Sequence, residues 1–213
     1  QILLVQAYRF GDASLIARSS RIMEPFVFQV IDWALPKSGP MRLLEVGCGT
    51  GTYMHHAALR NPALRAVGID LDPAVAMSTR QAIATWGLQE RLSIEAGDVR
   101  SRLYDAPFDV VTLYNVIYYF PETERIELLA KLASFLRPGG RIILSTSCQG
   151  GSPGMQVLDI CTSNTVGLGG LPSLAEMMDI IRAAGFVDIR FRKAIPGEPY
   201  YAFVAIKPNH ATT

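Results

Sequence analysis

Leu43-Leu44-Glu45-Val46-Gly47-Cys48-Gly49-Thr50-Gly51 is an apolar run that ends in an acid and three alternating glycines. An apolar run of this length reads as a buried parallel strand, and the glycines read as the turn that follows it. Glycine lets the backbone take left-handed conformations and lets a ligand approach the chain closely. A dinucleotide site would carry G-x-G-x-x-G, which points a helix N-terminus at a pyrophosphate. The spacing here is G-x-G-x-G.

That spacing, with Glu45 two residues before the first glycine, resembles motif I of the class I S-adenosylmethionine-dependent methyltransferases. Further segments extend the likeness. Ala66-Val67-Gly68-Ile69-Asp70 reads as a second strand that ends in a carboxylate about 20 residues on, where a ribose-binding acid is expected. The other reading of such an acid is a helix cap, and Asp72 before Pro73 suits that role better. Leu92 to Ala96 delivers Gly97-Asp98-Val99, similar to the family segment whose acid meets the adenine amine. Phe108 to Asn115, followed by Val116-Ile117-Tyr118-Tyr119-Phe120-Pro121, resembles motif IV. Leu136-Arg137-Pro138-Gly139-Gly140 leads into a fifth strand, Arg141 to Leu144.

The resemblance covers residues 42 to 146. It implies an α/β fold, a Rossmann-like three-layer sandwich whose mostly parallel seven-stranded sheet closes with an antiparallel hairpin. It implies S-adenosyl-L-methionine as cofactor and S-adenosyl-L-homocysteine as product. Residue by residue it places Glu45, Gly47, Gly49, Gly51, Asp70, Leu71, Asp98, Val99 and Asn115 at the cofactor, and Tyr118 and Tyr119 beside the transfer site as positioning groups.

At 213 residues one domain is expected over 1–213. The formal net charge of +1 leaves no basic footprint, which argues against a nucleic-acid partner. Three cysteines without C-x-x-C spacing imply neither a disulfide framework nor a zinc site, and a cytoplasmic setting is the simplest expectation. No apolar run approaches the ~20 residues of a membrane span. A small-molecule acceptor is the expected partner, and the sequence leaves room for a homodimer.

Residues 1–40 read as a helical cover. Over 13–35 the apolar residues recur at helical spacing, and Pro25 predicts a break into two helices. Helices are expected over 51–60, 73–86 and 122–136. Another is expected over 174–184, with a Ser173–Glu176 capping box and Gly185 as its stop. Phe186–Lys193 and Tyr200–Lys207 read as the closing hairpin. Residues 147–172 are too long for an ordinary connection, since structureless loops beyond about 15 residues are uncommon. They read as a lid or acceptor-binding insertion, with a short helix over 155–160 between glycine-rich hinges, or as a plain surface insertion.

Methyl transfer from a sulfonium needs positioning more than it needs a catalytic group. A base is required only where the acceptor must lose a proton. His55 and His56 sit on the helix after the glycine turn and are expected to face the sheet or solvent, and His210 lies in the tail. Asn115 alone cannot hold a hard cation, so no metal is expected. Neither the proline-rich box of adenine-specific DNA methyltransferases nor a Pro-Cys nucleophile is present; Cys148 reads as a neutral thiol. The two functions that fit are methyl transfer to an apolar or aromatic small molecule, and a non-catalytic cofactor-fold subunit that regulates a partner.

Overall fold

A computed structural model of the chain describes residues 13–209, with side chains described from residue 21 onward. Seven strands form one sheet in the order β3-β2-β1-β4-β5-β7-β6. These are β1 (Met41–Val46), β2 (Leu64–Asp70), β3 (Leu92–Ala96), β4 (Phe108–Tyr114), β5 (Leu136–Ser147), β6 (Val187–Lys193) and β7 (Tyr200–Ile206). β1 to β5 pair in parallel, while β7 runs antiparallel to both β5 and β6.

The helices are α1 (Ala13–Ala34), α2 (Thr52–Arg60), α3 (Pro73–Thr85), α4 (Arg125–Phe135), α5 (Pro153–Ser163) and α6 (Leu174–Ala183). Two cores result, one on each face of the sheet. Leu43, Val110 and Ile143 pack under Val27, Val30 and Ile31 of α1 and Met54 and Ala57 of α2. Leu44, Val111 and Leu144 pack under Leu128 and Leu132 of α4 and Met177 and Ile181 of α6. The central strands bury both faces, so they read as unbroken apolar runs rather than alternating ones.

Several local expectations hold for the expected reasons. Asp72 caps α3 by accepting from the Ala74 N–H at 2.8 Å, with Pro73 at the first helical position. Ser173 and Glu176 close the capping box at 3.1 and 2.6 Å. Gly185 ends α6 at φ 89°.

The break at Pro25 does not occur, and α1 runs through it as one helix. Proline removes one intrahelical bond and crowds the carbonyl four residues back. Here Pro25 and Arg21 lie on the exposed side, where water can take the freed carbonyl, while Val27, Val30 and Ile31 are locked against the sheet. Packing therefore overrides the local penalty. The insertion helix α5 is also longer than 155–160. His210 lies outside the described residues. The edge strand β6 is mostly exposed and carries a register shift between Val187 and Arg190, with Asp188 at φ 51°. Such a bulge blunts an open edge against pairing with another chain.

Candidate functional site

The strand order reverses between β1 and β4, and open α/β sheets bind ligands at the carboxyl ends of strands on either side of such a point. The glycine turn lies there. Gly47, Gly49 and Gly51 take φ of 66°, 50° and 73°, a region that side chains rarely adopt. The turn is pinned to β2: Gly47 and Cys48 donate to the Ile69 carbonyl at 2.8 and 3.2 Å, and Gly49 donates to Asp70 Oδ2 at 2.9 Å. From α3, the Thr79 hydroxyl donates to the Gly49 carbonyl at 2.5 Å.

The three glycines differ in what surrounds them. A Cβ on Gly47 would come within 2.6 Å of Val116, and one on Gly51 within 2.7 Å of Thr79. A Cβ on Gly49 would meet no protein atom within 4 Å. The outer face of Gly49 is thus open beside Asp70, while its neighbours are closed by packing.

Asp70 is 2% exposed and also accepts from the Asp72 N–H at 3.1 Å. Burial raises its pKa against the lowering effect of these backbone bonds. Glu45 is 2% exposed, and its Oε1 has no hydrogen-bond partner in the protein. Burial, and then the nearby Asp70, push its carboxyl well above the usual range. Its face of the sheet continues across Thr112 and Tyr114 of β4 to Ser145 of β5, whose Oγ lies 2.7 Å from the Tyr200 hydroxyl. The Tyr53 ring of α2 meets Tyr114 edge-on at 5.3 Å, and Phe28 of α1 meets Tyr53 at 6.3 Å. The hydroxyls of Tyr53 and Tyr114 have no hydrogen bond of normal geometry, although Asn115 lies near the first and Thr112 near the second.

Asp98 stands at the end of β3 as the cap of a short 3-10 turn, Val99–Ser101, and Val99 is buried beneath it. The Arg100 guanidinium covers it, with Nη2 at 2.7 Å from Oδ2, and also reaches Glu124 at 2.6 Å. Burial alone would raise the Asp98 pKa; the bonds from Arg100 outweigh it and hold the carboxyl below the usual range. Much of its acceptor capacity is therefore engaged within the protein. Leu71 follows Asp70 in the turn that leads to the Asp72 cap.

Asn115 takes a left-handed φ of 59° and donates from its N–H to the Ser145 carbonyl at 2.8 Å. A non-glycine residue held there is strained, which turns the chain sharply off β4. Tyr118 and Tyr119 follow in a 3-10 turn, their rings 4.9 Å apart. Burial raises the Tyr119 pKa, against a lowering bond from Tyr118, and Asp70 adds to the rise. The thiols of Cys48 and Cys148 are likewise pushed up by burial, that of Cys148 to about 12. Phenols and thiols shifted upward are poor bases and poor nucleophiles at neutral pH. His55 stacks on Trp86 at 4.1 Å, and His56 stacks on Phe28 and meets Asp32 at 3.1 Å, so both histidines tie helices together. Among the described residues no group of three His, Cys, Asp or Glu could hold a metal ion.

The insertion is tied down at both roots. At one, Cys148 donates to the Pro199 carbonyl at 2.7 Å and Ser152 N–H to Glu198 at 3.1 Å. At the other, Gly169 donates to the Tyr118 carbonyl at 3.0 Å, and the buried Arg125 guanidinium bridges the Phe120 and Gly170 carbonyls at 3.2 and 2.6 Å. A Cβ on Gly151 would strike Pro199 at 2.3 Å, so this glycine is packed rather than a free hinge.

Sequence reasoning missed Thr79, Arg100, Arg125, Tyr53 and Tyr114. Their roles depend on contacts across the fold that no local pattern announces. Gly68 of β2 is likewise closed by packing; a Cβ there would come within 2.6 to 2.9 Å of Ile94, Met54 and Cys48. Two cavities of about 220 and 160 Å³ lie at the amino ends of strands, one among Arg42, Arg65 and Arg91, the other around Pro40 and Arg137. Neither reaches the glycine turn. The arginines of the first are engaged by backbone carbonyls, so cavity size does not compete with the turn as a guide to the site.

A family model described as a methyltransferase domain matches residues 44–142. Demethylspheroidene O-methyltransferase of Cereibacter sphaeroides is 29% identical to this chain over 219 residues, covering 96% of this chain and 56% of that one. Nocamycin O-methyltransferase of Saccharothrix syringae is 30% identical over 198 residues, covering 82% and 69%. The solved structure of PigF with SAH shares the fold at a TM-score of 0.78 and 22% identity, over 97% of this chain and 61% of that one. The chain spans about half the length of the two demethylspheroidene enzymes it matches, 56% and 43%.

Proposed function

This chain belongs to the class I S-adenosylmethionine-dependent methyltransferases, and from that premise we propose that it transfers a methyl group from S-adenosylmethionine to a small, apolar or aromatic molecule. The observation that carries the reading is the open outer face of Gly49 beside the buried Asp70, whose charge also acts on the buried Glu45. A ligand with ribose hydroxyls and a cationic end fits that donor set: a carboxylate accepts from two hydroxyls at once, and a buried acid whose oxygen lacks a partner suits a cation.

In this reading Asp70 takes the ribose, with Leu71 beside it, and Glu45 faces the amino-acid end. Gly47, Gly49 and Gly51 let the backbone approach, and Asp98 with Val99 borders the adenine. Asn115 turns the chain so that Tyr118 and Tyr119 flank the acceptor. When bound, the cofactor supplies an activated methyl on a sulfonium whose charge vanishes on transfer. The chain's own residues orient the two reactants and exclude water. The upward-shifted Tyr119 phenol and the absence of a free histidine near it, among the described residues, support transfer by positioning rather than by a side-chain base.

The acceptor side is proposed to lie between α1, Tyr118–Tyr119 and the insertion. The O-methyltransferase names of the relatives favour a hydroxyl as the acceptor atom. Calorimetry with S-adenosylhomocysteine tests the cofactor half, and absence of binding would overturn the proposal. Transfer of labelled methyl to a panel of phenols and hydroxylated polyenes tests the acceptor half; transfer only to polar, non-aromatic metabolites would refute it.

A further inference from the structure

Arg42, Arg65 and Arg91 stand in one row across three neighbouring strands. The register of β1 on β2 pairs Arg42 with Arg65. Arg91 precedes β3, and its carbonyl accepts from the Ala66 N–H at 2.9 Å, one step before the pairing of Ala66 with Leu92. Adjacent strands lie about 4.8 Å apart, and like charges set side by side in a sheet are destabilising. Such a row is costly unless something of opposite charge completes it.

Among the described residues none of the three forms an ion pair. Main-chain carbonyls hold the guanidinium groups instead. Arg42 Nη1 donates to Pro107 at 3.1 Å and Arg65 Nη1 to Glu90 at 2.8 Å. Arg91 Nη1 donates to Pro62 at 2.8 Å and, more loosely, to Ala58 and Asn61 at the end of α2 at 3.3 and 3.4 Å. The Phe108 ring supports the Arg42 guanidinium from 5.0 Å. A carbonyl fixes a guanidinium in place without cancelling its charge, and each guanidinium has further N–H donors to offer.

The three arginines surround the cavity of about 220 Å³ at the amino ends of the strands, whose other walls include Val67, Leu92 and Phe108. Glu90 is the only acidic residue in the lining. Asp109, next to Phe108, is taken by the Arg137 side chain and by the Arg42 N–H at 2.7 Å. Positive charge is therefore in excess. Guanidinium forks already oriented by carbonyls match the oxygens of a phosphate group, which can accept two parallel N–H bonds from one fork.

We propose that this cavity is a phosphate-binding site, which takes inorganic phosphate or the phosphate group of a small ester. It lies at the opposite ends of β1 and β2 from Gly47 and Asp70, so it is distinct from the glycine turn and does not depend on the cofactor reading. Occupation neutralises the row and stabilises the fold, because the ligand binds the folded chain and not the unfolded one.

The test is calorimetry and thermal melting of the full chain in phosphate-free buffer, titrated with inorganic phosphate or with phenyl phosphate at ionic strength held constant by sodium chloride. Saturable binding at about millimolar concentration or tighter is expected, with a rise of a few degrees in melting temperature. Tighter binding of phenyl phosphate assigns the site to an ester, and tighter binding of inorganic phosphate assigns it to the free ion. Arg42→Gln and Arg65→Gln are each expected to weaken binding about tenfold. Both side chains are exposed, so the variants should still melt cooperatively without phosphate. Glu90→Gln removes the one opposing charge and is expected to tighten binding severalfold, a gain that a damaged fold could not give. The site is overturned if the wild-type protein binds neither phosphate saturably, if both arginine variants bind as wild type does, or if chloride alone at matched ionic strength gives the same rise in melting temperature.

Discussion

At Gly49 and Gly47 the same substitution should have different consequences. Alanine at Gly49 incurs left-handed strain of roughly 1–2 kcal/mol but meets no protein atom, so the fold should melt only a few degrees lower while cofactor affinity is lost. Alanine at Gly47 adds a clash with Val116 and should lower stability by a further 1–3 kcal/mol or so. Thermal melting beside calorimetry separates the two, and a Gly49→Ala protein that binds S-adenosylhomocysteine normally would refute the close approach. Asp70→Ala should weaken binding by roughly 1.5–3 kcal/mol. Because Asp70 also holds the Gly49 and Asp72 N–H groups, the melting temperature should fall with it. Glu45 makes a pH prediction. A carboxyl whose folded value is raised stabilises the fold below its unfolded value, and that contribution is lost as pH rises through the folded value. Glu45→Gln should therefore be more stable than wild type by a margin that grows from about pH 4.5 upward and then levels off, measured by urea unfolding across pH. A margin that shrinks with rising pH would reject the assignment.

At the scale of elements, the sequence was most informative where neighbours along the chain decide the outcome. The Asp72 and Ser173 caps, the Gly185 stop and the glycine turn are all local chemistry, and the structure shows each of them. Pro25 misled because its penalty is local while the force that overrides it, burial of Val27, Val30 and Ile31, comes from the sheet. The insertion was legible as an anomaly of length but not as a fastened element, since Arg125 and Gly170 are far apart in sequence. This fastening is testable at Gly169. A Cβ there would sit 2.3 Å from Arg125 Nη2 and 2.6 Å from the Phe120 carbonyl. Gly169→Ala should destabilise the protein by about 1–3 kcal/mol, a drop of several degrees in melting temperature. It should also open the insertion to limited proteolysis without weakening S-adenosylhomocysteine binding. An unchanged melting curve would show that the strap can yield.

Across the whole molecule, five strand ends carry the kind of residue from which the fold was read, and the mostly parallel seven-stranded sheet with its antiparallel closing hairpin agrees with that reading. The position of a candidate residue was legible where strand and turn alone set it, as for Asp70 beside the glycine turn, while its contacts were not, as with the Arg100 guanidinium on Asp98. The two roots of the insertion meet where the Gln149 N–H donates to the Pro172 carbonyl at 3.0 Å, and each has anchors of its own, Glu198 and Pro199 on one side and Arg125 and Tyr118 on the other. In the segment between them Asp159 accepts from the Leu171 N–H at 2.8 Å, a bond that a replacement segment must retain. Replacing residues 154–167 with segments of other lengths should leave nucleoside affinity intact and alter which acceptors are methylated, a partition that parallel binding and turnover measurements would reveal. On the proposed reading, evolution has in this stretch a cassette: a part that can be exchanged to give one transfer engine a new appetite while the machinery that holds the methyl donor is inherited unchanged.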